Sequence, residues 1–400
     1  MDLLKVVVVA SPFANMSALY EIDPEADVLL IVPPHSRPIA PWDDDSKPQA
    51  NGLGINTPQK SKASPPPSPG LRIKVSSKHL SLASRVFKNK LAASPGTQSD
   101  GRVHLAFGDG LFDPKAVTAV LNAVHARGRK VPRAVDLETL ANIALVIDKF
   151  GLLDAIDVYA ERWVDALIDS LPAAYPRDLA LWIYISHVLR RADVFKTATK
   201  LAAAHATGPI RDLGLPLREK LIKHLDAQRQ DLVGQAVAAV HGMLHELTGG
   251  SAACAAYHCD ALLLGELVKT LQAARLVWPP PAKPFTGVSF AGVVEAVMAG
   301  VNAAQRHAPA AAEAWGPSKP ATPPGATASR KRKSPAQLPP LTPDSDLEDR
   351  ANGNGAGGGT AFETHECAAL NLAERLKRFD LLEQSVAGLE LESSLGYQLY

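Results

Sequence analysis

The stretch Leu71 to Leu91, LRIKVSSKHLSLASRVFKNKL, decides the fold, because its hydrophobic period changes in the middle. Leu71, Ile73 and Val75 alternate with Arg72 and Lys74, the period of two that a strand requires. After Ser76 and Ser77 the apolar positions become Leu80, Ala83, Val86 and Phe87, a helical stripe preceded by hydroxyl side chains able to cap it. The spacing predicts a strand passing straight into one amphipathic helix that lies back on it, with Leu80, Val86 and Phe87 as core residues. Upstream, Asp27 to Val32, DVLLIV, is continuous, rich in β-branched residues and ended by Pro33 and Pro34, and reads as the partner strand. Neither segment carries an obvious reactive group.

Between these two strands, residues 33–69 hold ten of the 32 prolines together with Asp43, Asp44 and Asp45, a composition that buries too little apolar surface to order itself. It reads as a disordered insertion, whose closure costs on the order of a kcal/mol or two because loop entropy grows only with the logarithm of length. Downstream, VHLAF from Val103 reads as a short strand, and Gly108-Asp109-Gly110 as a turn before a helix opened by Asp113-Pro114 and closed at Gly128. Asp136 is placed to cap the next helix, with Val135 and Leu140 as a hydrophobic staple and Gly151 as its stop. A further helix from about 152 to 171 presents Ile156, Tyr159, Trp163 and Leu167 on one face.

The DVLLIV strand, the strand-to-helix segment ending in S-x-V-F (Ser84, Val86, Phe87) and the later run KVPRAVDLETLANIALVIDKFGLLDAIDVYAERWVDAL together resemble the BTB/POZ domain, in the divergent form common among filamentous fungi. The resemblance covers roughly 20–171 and implies a compact α+β module, a small sheet with clustered helices, that recruits protein partners and often self-associates. In better-known members a His-Lys pair stands where this chain has Ser76 and Ser77, and the acidic residue that pairs with that histidine corresponds to Asp27. Asp27, Leu80, Ser84, Val86 and Phe87 are thus the fold-defining positions.

Beyond Pro172 the pattern is helical throughout. One helix starts at Pro176 and a second ends at Gly208-Pro209; a long segment from about 216 to 247 has a candidate break at Gly234. Asp260 is placed to cap the next helix, stopped by Pro279-Pro280-Pro281, and Ser289 opens a valine-rich helix to about Arg306. Residues 172–306 read as an all-α domain of helical hairpins, similar to the helical extension that follows many BTB domains. Residues 1–19 form an N-terminal segment, 307–362 a Pro/Gly/Ser-rich disordered linker, and 363–392 a C-terminal amphipathic helix with Leu370, Leu372, Leu376, Phe379, Leu382 and Leu389 on its stripe, which must be buried against the helical domain or against another chain, with the helical domain the expected place.

The chain has 400 residues, 42 basic and 41 acidic, so its net charge of +1 provides no global field for nucleic acid or an anionic membrane. Three cysteines make no disulfide framework, the Leu3 to Ala10 run lacks the basic flank of a signal peptide, and no run is long enough to span a bilayer. These features are those of a soluble intracellular protein of the nucleus or cytoplasm. Arg330, Lys331, Arg332 and Lys333 form a candidate nuclear-import signal, but four charges are too few for tight DNA binding without a folded reader. Cys254, Cys259, His365 and Cys367 are metal-ligand residue types, but C-x4-C with H-x-C is not a structural-zinc spacing, so neither a metal nor a cofactor is expected. His241 and His245 lie one helical turn apart without a second ligand pair, and Trp163, Trp182 and Trp278 read as packing residues. No phosphate-cradling loop, G-x-S-x-G or H-E-x-x-H is present. The expected function is that of a non-enzymatic interaction protein, recruiting partners and homodimerising through the first domain. Its alternatives are a substrate adaptor of a cullin-type ubiquitin ligase, or a nuclear regulatory factor touching nucleic acid through Arg330 to Lys333.

Overall fold

The computed structural model describes residues 18–35, 38–42, 70–94, 96–108, 110–249, 257–314, 372–386 and 388–391. Among them the chain is α+β, with one four-stranded sheet and eleven α-helices. The strands are β1 (Ala18–Glu21), β2 (Val28–Val32), β3 (Leu71–Val75) and β4 (Val103–Ala106), in the order β1-β3-β2-β4. β2 and β3 pair antiparallel with Leu30 opposite Ile73, while β1 runs parallel to β3 and β4 parallel to β2. Leu29 and Leu30 point to opposite faces and both are buried, which is why the central strand reads as a continuous apolar run rather than an alternation. β1 is not evident in the sequence: its four residues are mostly exposed, so the core imposes no hydrophobic pattern on them.

The single helix expected after β3 is two helices, α1 (Ser77–Ala83) and α2 (Arg85–Ala92), broken at Ser84. Ser84 is extended (φ −147°, ψ 122°), and its buried hydroxyl accepts from the Phe87 amide at 3.1 Å and donates to the carbonyl of Phe150. The residue is therefore the cap of α2 rather than a position inside one helix. The break re-aims the stripe. Leu80 and Phe87 are fully buried, whereas Val86, expected in the core, is 37% exposed. Phe87 stacks on Phe150 with ring centroids 4.6 Å apart, and Phe107 and Phe112 close the same aromatic cluster.

α3 (Pro114–Val124) and α4 (Leu137–Phe150) start at the predicted caps: Asp113 accepts from the Lys115 amide at 3.3 Å and Asp136 from the Thr139 amide at 2.7 Å. α3 stops at His125 rather than Gly128, and α4 stops at Gly151 with a left-handed φ of +60°. α5 (Leu153–Leu167), α6 (Arg177–Val188), α7 (Ala192–His205) and α8 (Glu219–Thr248) follow, with α8 unbroken at Gly234. α9 (Tyr257–Ala273) begins before Asp260, so that residue does not cap it; α10 (Phe290–Ala314) does start at Ser289, whose hydroxyl accepts from the Gly292 amide at 3.1 Å, and it runs past Arg306. α11 is Leu372–Ser385.

The apolar core does not divide at Pro172. A first core joins the sheet and α1 to α5 with Leu179, Trp182 and Ile183 of α6, Phe195 of α7 and the start of α8. A second core joins the remainder of α8 to α9, α10 and Phe379 of α11. Part of the expected insertion also has structure: Ile39 and Ala40 are buried, and Arg177 donates to their carbonyls at 2.7 and 2.9 Å. Residues 43–69 and the expected N-terminal segment before Ala18 lie outside the described residues, as does most of the expected linker.

Of the two places where the stripe of the C-terminal helix could be buried, the structure puts it within the chain, on α8 and α10. Phe379 enters the second core and Arg378 pairs with Glu246 at 2.7 Å. Leu389 lies beyond the helix and against α7, its amide donating to the buried Thr199 hydroxyl at 2.9 Å. Gly388 permits this approach, since a Cβ there would sit 1.9 Å from the Lys196 carbonyl oxygen.

Candidate interaction surface

The mouth of the sheet is where β3 passes into α1. Because Val28 pairs with Val75, Asp27 stands beside Ser76 and Ser77. The Asp27 carboxylate accepts from the Ser77 amide at 2.7 Å and from the Ser77 hydroxyl at 2.5 Å. Partial burial is the largest influence on this carboxyl and works to raise its pKa. The two Ser77 bonds, with a bond from its own backbone amide and the nearby Lys78 charge, together outweigh it and hold the group below the usual carboxylate range, so it is charged at neutral pH. A negative charge at the first turn of a helix stabilises that end. Ser76 and Ser77 do not act as hydroxyl caps of α1: the Ser76 side chain makes no capping bond and that of Ser77 faces Asp27.

On the other side, the Ser76 amide donates to Nε2 of His125 at 3.1 Å, while Nδ1 of His125 lies 2.8 Å from the Leu121 carbonyl. A carbonyl only accepts, so Nδ1 carries the proton and Nε2 is the acceptor, the neutral tautomer. Burial, with the ring of His79 stacked at 5.0 Å, holds His125 below its ordinary pKa. Sequence reasoning missed His125, which is one turn past Leu121 on another helix and carries no motif. The start of α1 is thus bonded to two distant elements.

What this fixed hairpin presents outward is apolar and basic. Leu82 is 90% exposed, Val86 is 37% exposed, and Arg85, Lys88 and Lys90 of α2 are exposed beside them. From Leu71 to Leu91 there are six Lys or Arg and no Asp or Glu.

The other candidates fall elsewhere. His241 Nε2 donates to the Leu276 carbonyl at 3.2 Å, a contact that ties α8 to the chain after α9. His187 packs against Phe195, and its burial pushes its pKa down to about 4. Among the described residues, no group of three or more His, Cys, Asp or Glu could hold a metal ion. Cys254, His365, Cys367 and Arg330 to Lys333 lie outside the described residues, as does the side chain of Cys259. Trp163 donates to the Pro132 carbonyl at 2.9 Å and Trp182 is buried, but Trp278, read as a packing residue, is 62% exposed. A groove of about 460 Å³ between α7, α10 and α11 is lined by Ala204, Phe290, Val294 and Met298, with Glu295 and Glu383. No helix among the described residues is long and apolar enough to cross a membrane. No family model, curated protein or solved structure matches the chain.

Proposed function

We propose that this chain is a non-enzymatic interaction protein whose residues 20–171 work as a BTB/POZ-like recruitment module, with the outer face of α1 and α2 as the contact surface. The single observation that carries the reading is Leu82: a large apolar side chain almost wholly in water, on a hairpin pinned by Asp27, His125 and Ser84. An apolar residue held exposed on a rigid support loses little conformational entropy when a partner covers it. The surrounding Arg85, Lys88 and Lys90 favour a partner with an apolar centre and an acidic rim. Support for the family reading comes from the antiparallel β2–β3 pair and the helical hairpin directly after β3. Self-association belongs to the same reading, since β1 and β4 each pair on one side only among the described residues. Zero-length carbodiimide cross-linking of the full chain in extract tests the surface. The expected product joins Lys88 or Lys90 to carboxylates of a partner or a second copy, and cross-links confined to other faces would refute it.

A further inference from the structure

α5 departs from the usual pattern of an amphipathic helix at one position. Its buried stripe is Ile156, Ala160, Trp163 and Val164, and the opposite side of such a helix is normally polar. Val158 falls on that opposite side and is 79% exposed. Asp154, Asp157, Glu161 and Asp165 are exposed around it, and Arg162 is the one cation of the helix. Arg191 pairs with Glu161 at 3.6 Å and with Asp165 at 2.9 Å, whereas among the described residues no cation pairs with Asp154 or Asp157. α5 thus offers an apolar centre with an acidic border. The face of α1 and α2 is its counterpart: Leu82 and Val86 are exposed, and from Ser77 to Ala92 there are four Lys or Arg and no Asp or Glu. Within one chain the two faces do not cover each other, since Leu82 and Val158 are both mostly in water.

We propose that the α1–α2 face is occupied by a second copy of this chain seated through its α5, with Val158 against Leu82 and Val86 and with Asp154 and Asp157 facing Lys88 and Lys90. The proposal rests on the recruitment reading of that face and names its partner. Covering the three apolar side chains drives the contact, and the opposite charges set its orientation and speed its formation. Two like faces repel each other, basic against basic and acidic against acidic, so the contact joins different faces of the two copies. A pair made this way keeps one free face of each kind. Addition therefore continues until a ring closes or a filament grows.

Sedimentation velocity of the purified full chain tests this with two variants, each lacking one face. Leu82→Glu, Lys88→Glu removes the basic face and Asp157→Lys, Val158→Lys the acidic one; all four side chains are exposed, so melting temperatures should not change. At about 100 μM, a concentration suited to a micromolar contact, the unaltered chain should sediment in part as species larger than a dimer. That share should fall as salt rises from about 0.05 to 0.5 M. Each variant alone should be monomeric. Their equimolar mixture should form one-to-one pairs and nothing larger, because a single complementary contact remains. A monomeric unaltered chain, association that persists in Asp157→Lys, Val158→Lys, or a mixture that does not pair would overturn the proposal. Leu82-dependent capture of other proteins is a separate readout, so this proposal can fail while the recruitment reading stands.

Discussion

Replacing Ser84 by Ala removes one oxygen that serves two bonds. The Phe87 amide loses its cap, worth about 1 kcal/mol at a helix start. The Phe150 carbonyl, in a buried position beside Gly151, loses its donor at a cost of about 1–3 kcal/mol. Together the first core should lose about 2–4 kcal/mol, treating the two as independent. Trp163 and Trp182 are both buried in that core, so urea unfolding followed by their fluorescence reports it. Glycine at the same position largely preserves a cap and should recover about 1 kcal/mol of the loss without restoring the Phe150 bond. A Ser84→Ala variant within about 0.5 kcal/mol of the original would refute the two-bond account.

Phe87→Ala should cost about 3–5 kcal/mol by the same assay, since the ring is fully buried against Phe150 and Phe107; unchanged stability would contradict its placement. Acid should weaken the fold through His187, whose folded pKa of about 4 lies below the ordinary 6.5. The unfolded chain then binds more protons, so stability is full above pH 6.5 and falls by about 2–3 kcal/mol on approaching pH 4; His187→Gln should flatten that slope in pH-dependent unfolding. Gly388→Ala would drive a methyl into the Lys196 carbonyl, and hydrogen exchange should show the Leu389 amide losing its protection while the sheet amides keep theirs.

Features set by local chemistry were legible in the sequence. Asp113, Asp136, Ser289 and Gly151 act within a few residues of themselves, and the helix ends at which they stand agree with them. DVLLIV gave a strand because a run apolar at successive positions must be covered on both faces. What escaped depended on distant partners. The break at Ser84 is fixed by the Phe150 carbonyl 66 residues away, and a serine in a helical stripe does not reveal that acceptor. Val86 then turns outward for the same reason, and with it the surface assigned to recruitment. Ile39 and Ala40 sit in a proline-rich stretch that composition reads as disordered, but they are buried with Arg177 bonded to their carbonyls. The boundary at Pro172 looked natural because proline ends the helical pattern, yet α6 is apolar on nearly every side and packs into the first core.

The most direct test of the recruitment claim is quantitative affinity purification of the full chain beside a Leu82→Asp, Val86→Asp variant. Both residues are exposed, so the variant should keep its melting temperature within about 2 °C. The account predicts a set of proteins enriched with the original chain and lost with the variant, a cullin among them specifying ligase adaptor work. An identical set from both chains would contradict it.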